Sequence, residues 1–182
     1  AFGMVEKTPM INSISLEKER FDAMMPFLEG KQCKVVALCM DDSGMPKSSS
    51  DIFDRAEKLV AELTGIDIPV SSIYIDPLVL PVNVGQDHAV EVMETLRQVK
   101  FLSDPAPKTV VGLSNVSQGC AKANRKIINR TMLVMLMASG LDAAIADADD
   151  DELMKAAATA RVLMNKEIYC DSYADLYMSK KY

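Results

Sequence analysis

Short apolar segments alternate with amphipathic helical segments along this chain, and this alternation limits the possible folds more than any other feature. The clearest apolar segment, 34–40 (KVVALCM), is nearly continuous, as expected of a parallel strand that is buried on both faces. The clearest helical segment, 51–64, places Ile52, Ala56, Leu63 and other apolar residues on one face. Such alternation predicts an α/β protein with a parallel sheet.

The boundaries of the other elements follow from the same periodicities and from capping residues. We predict strands over 9–14, 34–40, 72–76, 109–113 and 142–147. We predict helices over 15–28, 51–64, 86–99, 130–139 and 150–165, and a last helical segment that runs to the C-terminus. Ser15 and Asp150 are the predicted N-caps of the first and last of the five bounded helices.

Two architectures accommodate this element order: an open doubly wound sheet and part of a (β/α)₈ barrel. No G-x-G-x-x-G sequence follows a strand, which weakens the case for a dinucleotide-binding sheet. Each predicted strand ends at a polar or acidic residue: Asn12, Asp41, Asp76, Ser114 with Asn115, and Asp147. In a barrel these ends meet on the face that carries active sites. Asp and Asn also follow strands because they favour turns, so the pattern favours the barrel without excluding the open sheet.

Composition argues against several classes of function. The net charge is −6 and the sequence pI is about 4.9, whereas nucleic-acid binders carry a clustered basic face. The four cysteines form no C-x-x-C pair, and the chain has a single histidine, which disfavours zinc and iron–sulfur sites. The longest apolar stretch, 132–148, is interrupted by polar and acidic residues. We expect a cytoplasmic protein that binds neither membranes nor nucleic acid and holds no metal.

Several segments resemble one enzyme family. Residues 75–82 (IDPLVLPV), 112–117 (GLSNVS) and 10–13 (MINS) resemble the sixth, seventh and fourth strands of methyltetrahydrofolate:corrinoid/iron–sulfur protein methyltransferases. Residues 140–145 and 167–173 are also similar to that family, so the resemblance extends over essentially the whole chain. Its members are pterin-binding (β/α)₈ TIM barrels.

The resemblance implies that residues 1–182 are the C-terminal part of a single pterin-binding barrel domain, comprising the family's strands four to eight. The family's strands one to three, including an aspartate that holds the pterin, have no counterpart here. We therefore expect this chain to be a fragment of a longer protein, because five βα units cannot close a barrel and leave two unpaired sheet edges.

The resemblance also implies an activity: transfer of a methyl group between N5-methyltetrahydrofolate and the cobalt of a corrinoid (iron–sulfur) protein. By this resemblance Asn115 hydrogen-bonds the reacting nitrogen, and Asn12 and Asp76 bind the amide and amino edge of the pterin. Gly112 and Ser114 line the same face. Arg125 matches a loop arginine near the substrate, although the 119–126 loop looks about two residues longer than in the family.

Alternatives remain open for these residues and for the activity. Asn12, Asp76 and Asn115 are also residue types that end strands or cap loops. The acidic run 147–152 is better explained as a solvated loop and helix N-cap than as a metal site. His88 is better explained as a surface or helix-packing residue. The other functions to consider are dihydropteroate synthase, the folate module of methionine synthase, and a pterin-binding remnant without activity. The direction of transfer, in the acetyl-CoA pathway or in growth on methylated compounds, stays open, and a homodimer is expected from the resemblance alone.

Overall fold

A computed structural model describes residues 7–179, which form five strands, each followed by at least one helix. The strands are β1 (Met10–Leu16), β2 (Lys34–Asp41), β3 (Ile73–Asp76), β4 (Lys108–Gly112) and β5 (Ala143–Ile145). The helices are α1 (Lys18–Leu28), α2 (Ser49–Gly65), α3 (His88–Val99), α4 (Lys122–Ala138), α5 (Asp151–Leu163) and α6 (Tyr173–Ser179). The predicted alternation of strands and helices is therefore confirmed. The last predicted segment is described only as far as Ser179, and its final residues lie outside the described part of the chain.

The strand order decides between the two architectures. All neighbouring strands are parallel, and the sheet has the sequential order β1-β2-β3-β4-β5. In a doubly wound sheet the strand order instead reverses at a switch point, so that later strands are added on both sides of the first strand. Sequential order with a helix after every strand is the arrangement of a (β/α)₈ barrel. The fold is an α/β fold with five parallel strands, consistent with a partial TIM barrel.

The two faces of the sheet have different surroundings. On the outer face, strand residues pack against the helices in the main core: Ile14, Val35, Ala37, Cys39, Ile73, Ile75 and Val111. On the opposite face, which we call the inner face, Val36, Tyr74 and Val110 form a smaller cluster with Ala143. No helical residue from the described part of the chain belongs to this cluster. The inner face is therefore left open by the helices, as the interior of a barrel would be.

The predicted start of the first helix is wrong. Ser15 lies inside β1, fully buried, and its hydroxyl donates to Oε2 of Glu17 at 2.8 Å. Pairing with β2 continues to Leu16, which extends the strand beyond the predicted boundary. The first free N–H of α1, on Lys18, instead donates to the Asp42 carboxylate at 3.1 Å. The cap therefore comes from the neighbouring βα loop, which local sequence cannot reveal.

The start of α4 also differs from the prediction. The sequence predicts neither strand nor helix between 113 and 130, but a 3₁₀ turn spans Leu113–Ser117 and α4 begins at Lys122 rather than at Arg130. The prediction followed the apolar residues that begin at Met132, whereas residues 122–127 are all exposed. Because the exposed start of the helix has no periodic apolar residues, the sequence pattern predicts a helix that is too short.

Candidate functional site

Three of the residues implied by the resemblance lie on the inner face of the sheet. Asn12 pairs with Val36, a member of the inner-face cluster, and is itself exposed. Asp76 and Gly112 each lie two residues beyond another member of that cluster. Because side chains alternate between the two faces of a strand, both residues belong to the inner face. The structure thus places Asn12, Asp76 and Gly112 on one surface.

Asp76 ends β3 and shapes the turn that follows it. Its Oδ1 accepts a hydrogen bond from the backbone N–H of Leu78 at 2.9 Å, so the turn role considered for this residue is real. The second carboxylate oxygen takes no part in this bond. Burial raises the pKa of Asp76 to about 6, and the Leu78 N–H opposes that rise. Above about pH 6 a charged oxygen is therefore available to N–H donors.

Asn115 lies in the Leu113–Ser117 turn and packs on Gly112. A Cβ atom at Gly112 would come within 3.2 Å of Asn115 Nδ2 and 3.7 Å of its Cγ. The backbone carbonyl of Asn115 accepts from Gln118 N at 3.1 Å, which closes the turn. No group in the described part of the chain hydrogen-bonds the side-chain amide. The absence of a side chain at Gly112 therefore lets a half-buried amide lie against the end of β4 with its hydrogen-bonding capacity unused.

A cavity of about 350 Å³ adjoins this turn. Three of the sequence-predicted residues, Ser114, Asn115 and Arg125, line it. Ser117, Gln118 and Asn129 complete the lining and were not predicted. All six lining residues are polar, one is a cation and none is an acid. The cavity thus suits a ligand with hydrogen-bonding groups or negative charge.

Arg125 and Asn129 enter the cavity from α4, where they lie one turn apart on the same face. Arg125 Nε donates to the carbonyl of Cys120 at 2.9 Å, and no ion pair is found for it among the described residues. Asn129 Oδ1 is buried without a hydrogen-bond partner in the described structure. An unpaired buried amide oxygen is unfavourable in a folded protein, and such groups are often found where a ligand binds. Sequence reasoning missed Asn129 because it began this helix one residue too late to include it.

The loop after β3 is attached to the turn that carries Asn115. The backbone N–H of Val82 donates to the carbonyl of Val116 at 2.9 Å. At Gly119, where φ is +77°, a Cβ would lie only 2.7 Å from Asn83 Nδ2, so the two loops are in close contact there. These contacts hold the loop that follows Asp76 against the turn that carries Asn115.

The acidic run near β5 has a structural role at one residue. Asp150 Oδ1 accepts from the backbone N–H of Leu153 at 3.2 Å and pairs with Arg130 at 2.8 Å. Its predicted role as the N-cap of α5 is confirmed.

Across residues 7–179, no three His, Cys, Asp or Glu side chains lie together in a way that could hold a metal ion. No described helix combines the length and apolarity needed to cross a membrane.

Comparison with known proteins gives a family match and several relatives. Residues 4–147 match the family described as pterin binding enzyme. The chain is 32% identical to the methionine synthase of Mycobacterium tuberculosis (strain ATCC 25618 / H37Rv) over 148 residues, which cover 76% of the chain. It is 31% identical to the methionine synthase of Mycobacterium leprae (strain TN) over 151 residues, also 76% of the chain.

A third relative aligns along nearly the whole chain. The methylcorrinoid:tetrahydrofolate methyltransferase of Eubacterium limosum is 22% identical over 182 residues, which cover 99% of the chain. All three relatives are longer proteins. The chain spans 12% of the length of each methionine synthase and 66% of the length of the Eubacterium limosum protein.

Proposed function

We propose, since this chain belongs to the family of pterin-binding enzymes, that it transfers a methyl group between N5-methyltetrahydrofolate and a corrinoid protein. The observation that carries the proposal is the free amide of Asn115, which packs on Gly112 at the end of β4. That amide lies next to a polar cavity, and Asp76 ends the neighbouring strand on the same face. The name of the Eubacterium limosum relative supports this reaction class.

The chemistry of methyl transfer explains what the Asn115 amide would do. When the methyl group leaves N5, that nitrogen would become an amide-like anion unless it gains a proton or a strong hydrogen bond. A hydrogen bond accelerates the step only if it strengthens in the transition state. The Asn115 amide can donate or accept, and no protein group in the described structure occupies it. The corrinoid of the partner protein supplies the cobalt that exchanges the methyl group.

The other inner-face residues would hold the pterin ring. The ionised Asp76 carboxylate would accept from the paired N–H groups of the pterin amide and amino edge. Asn12 would contribute a second polar contact from β1, and Gly112 would leave room for the Asn115 amide beside the ring. Ser114 and Arg125 would bind polar groups of the substrate from the cavity wall.

A methionine synthase folate module is the second candidate, because the identity to the mycobacterial methionine synthases exceeds 30%. Both candidates use the same pterin chemistry and differ in the methyl acceptor. Dihydropteroate synthase is disfavoured on sequence grounds, because Leu78, Val79 and Leu80 stand where that family has glycines. The two candidates are distinguished by comparing the rates of methyl transfer to a separately purified corrinoid protein and to free cobalamin. A clear preference for the corrinoid protein would favour the first candidate.

The proposal is tested by mixing the protein with methyltetrahydrofolate and a Co(I) corrinoid under anaerobic conditions. We expect the Co(I) absorbance to decay only when both the enzyme and the methyl donor are present. A folded protein that binds methyltetrahydrofolate without such decay would instead be a pterin-binding protein without this activity. The homodimer implied by the resemblance belongs to the proposal as well, and light scattering of the purified protein would measure it.

A further inference from the structure

His88 is buried, and it contacts the turn that follows Asp76. It begins α3, is 6% exposed, and its Nε2 lies 2.7 Å from the carbonyl oxygen of Leu78. A carbonyl oxygen can only accept, so Nε2 must carry the hydrogen of this bond. The sequence suggested a surface or helix-packing residue; the side chain is buried rather than on the surface, and it also has a specific polar partner.

Leu78 links His88 to Asp76 through its backbone. Its N–H donates to Asp76 Oδ1 at 2.9 Å, while its carbonyl accepts from His88. Its φ angle is +63°, in the left-handed region that a residue with a side chain adopts only at a cost. A hydrogen bond on each side of the same α-carbon holds Leu78 in this conformation.

We propose that His88 is a positioning residue for the Asp76 carboxylate and acts through the backbone of Leu78. When the imidazole bond is lost, Leu78 can relax to a conformation that no longer directs its N–H at Oδ1. The carboxylate would then lose its only hydrogen bond within residues 7–179, and with it the orientation needed to meet two N–H donors. The link to substrate binding rests on the proposed function, whereas the link from His88 to Asp76 does not.

The charged and titratable neighbours of this chain of contacts are few among the described residues. Glu91 lies one turn along α3 from His88, and its carboxylate accepts from Ser49 N. Cys39 lies on β2, close enough to the Asp76 carboxylate for their charges to interact, and burial raises the pKa of its thiol. Within the described structure, neither of them hydrogen-bonds Asp76 or His88. Leu78 is therefore the connection through which His88 can act on Asp76.

The test compares His88→Leu, which fills the space without a donor, with His88→Gln, whose amide can replace Nε2–H. Carbon-13 NMR measures the carboxyl pKa of Asp76 without any pterin present. We expect H88L to raise that pKa and to weaken methyltetrahydrofolate binding about tenfold, because the Leu78 N–H no longer favours the ionised form. H88Q is expected to keep both values near those of the wild type.

Two results would overturn the proposal. One is a folded H88L protein with an unchanged Asp76 pKa, and the other is an H88Q protein that behaves like H88L. If H88L does not fold, nitrogen-15 NMR of the wild type decides: a protected Nε2–H supports the proposal, and an Nδ1–H tautomer contradicts it. A wild-type protein that transfers no methyl group would refute the proposed function, while the Asp76 titration would still judge the role of His88.

Discussion

A Cβ atom on Gly112 would lie 3.2 Å from the side-chain nitrogen of Asn115, a separation closer than most Cβ contacts. The glycine therefore provides the space in which the amide lies. Its φ is −80°, which any residue can adopt, so the backbone itself does not require glycine here. The requirement comes from the neighbouring amide.

Gly112→Ala should impair methyl transfer with little effect on folding. The new methyl group would push the Asn115 amide away from the end of β4, and we expect a rate at least tenfold lower. The free energy of unfolding should change by less than about 1 kcal/mol, because the backbone is unstrained. Gly65→Ala is a matched control, since nothing lies within 4 Å of a Cβ at Gly65. Equal rates for the two variants would contradict this account of Gly112.

Asp76→Asn should stabilise the protein at neutral pH and weaken pterin binding. The folded-state pKa of about 6 lies above the ordinary value of 3.8, so the folded protein holds this proton more tightly than the unfolded chain. Stability from Asp76 is thus highest below about pH 4 and is lost as the pH rises to about 6. At pH 7.5 the asparagine variant should be more stable by about 2 kcal/mol. Urea unfolding at pH 4.5 and pH 7.5 measures this, with the exposed Asp54→Asn as the control.

Asn129→Leu should stabilise the protein and weaken substrate binding. Removing a buried oxygen without a partner should raise the free energy of unfolding by about 1 kcal/mol. The same change should weaken methyltetrahydrofolate binding, because it removes a polar group from the cavity wall. Asn124→Leu, on the exposed first turn of α4, is the control for helix propensity. A less stable N129L protein would indicate that water satisfies the oxygen.

Gly119→Ala should destabilise the contact between the two loops. The positive φ and the 2.7 Å approach to Asn83 Nδ2 each oppose a Cβ, and together they should cost about 1 to 2 kcal/mol. In a second variant that also carries Asn83→Ala, the steric part of this cost should disappear and the backbone part should remain. Thermal unfolding of the single and double variants separates the two contributions.

The sequence was sufficient for the alternation of strands and helices because strand and helix periods are local, whereas the choice between a barrel and an open sheet required the observed strand order. Continuous apolar runs such as 34–40 marked the strands, and the polar residues that follow them marked the face on which we propose the site. The family resemblance of residues 112–117 singled out Asn115 from the sequence alone. The structure brings Ser114, Asn115 and Arg125 to one cavity and leaves Asn12 and Asp76 on the adjoining sheet face. The roles assigned to these residues in substrate binding stay predictions.

What the sequence did not reveal depends on contacts between distant segments. The cap of α1 comes from Asp42, 24 positions beyond Lys18, so Ser15 was a reasonable but wrong choice. Asn129 was missed because α4 begins at Lys122 with exposed residues that carry no apolar pattern, so the predicted helix began after it. The bond from His88 to Leu78 depends on the left-handed backbone conformation of Leu78. A glycine often marks such a conformation in a sequence, but this position is a leucine, so the conformation could not be predicted.

The most direct test of the central claim is single-turnover methyl transfer by Asn115→Ala, with the affinity for methyltetrahydrofolate measured separately. If the amide acts on N5 as the methyl group leaves, the rate should fall about 100-fold or more while the Kd changes by less than about threefold. Equal losses in rate and affinity would show that Asn115 only holds the substrate. An unchanged rate in the folded variant would remove Asn115 from the reaction altogether.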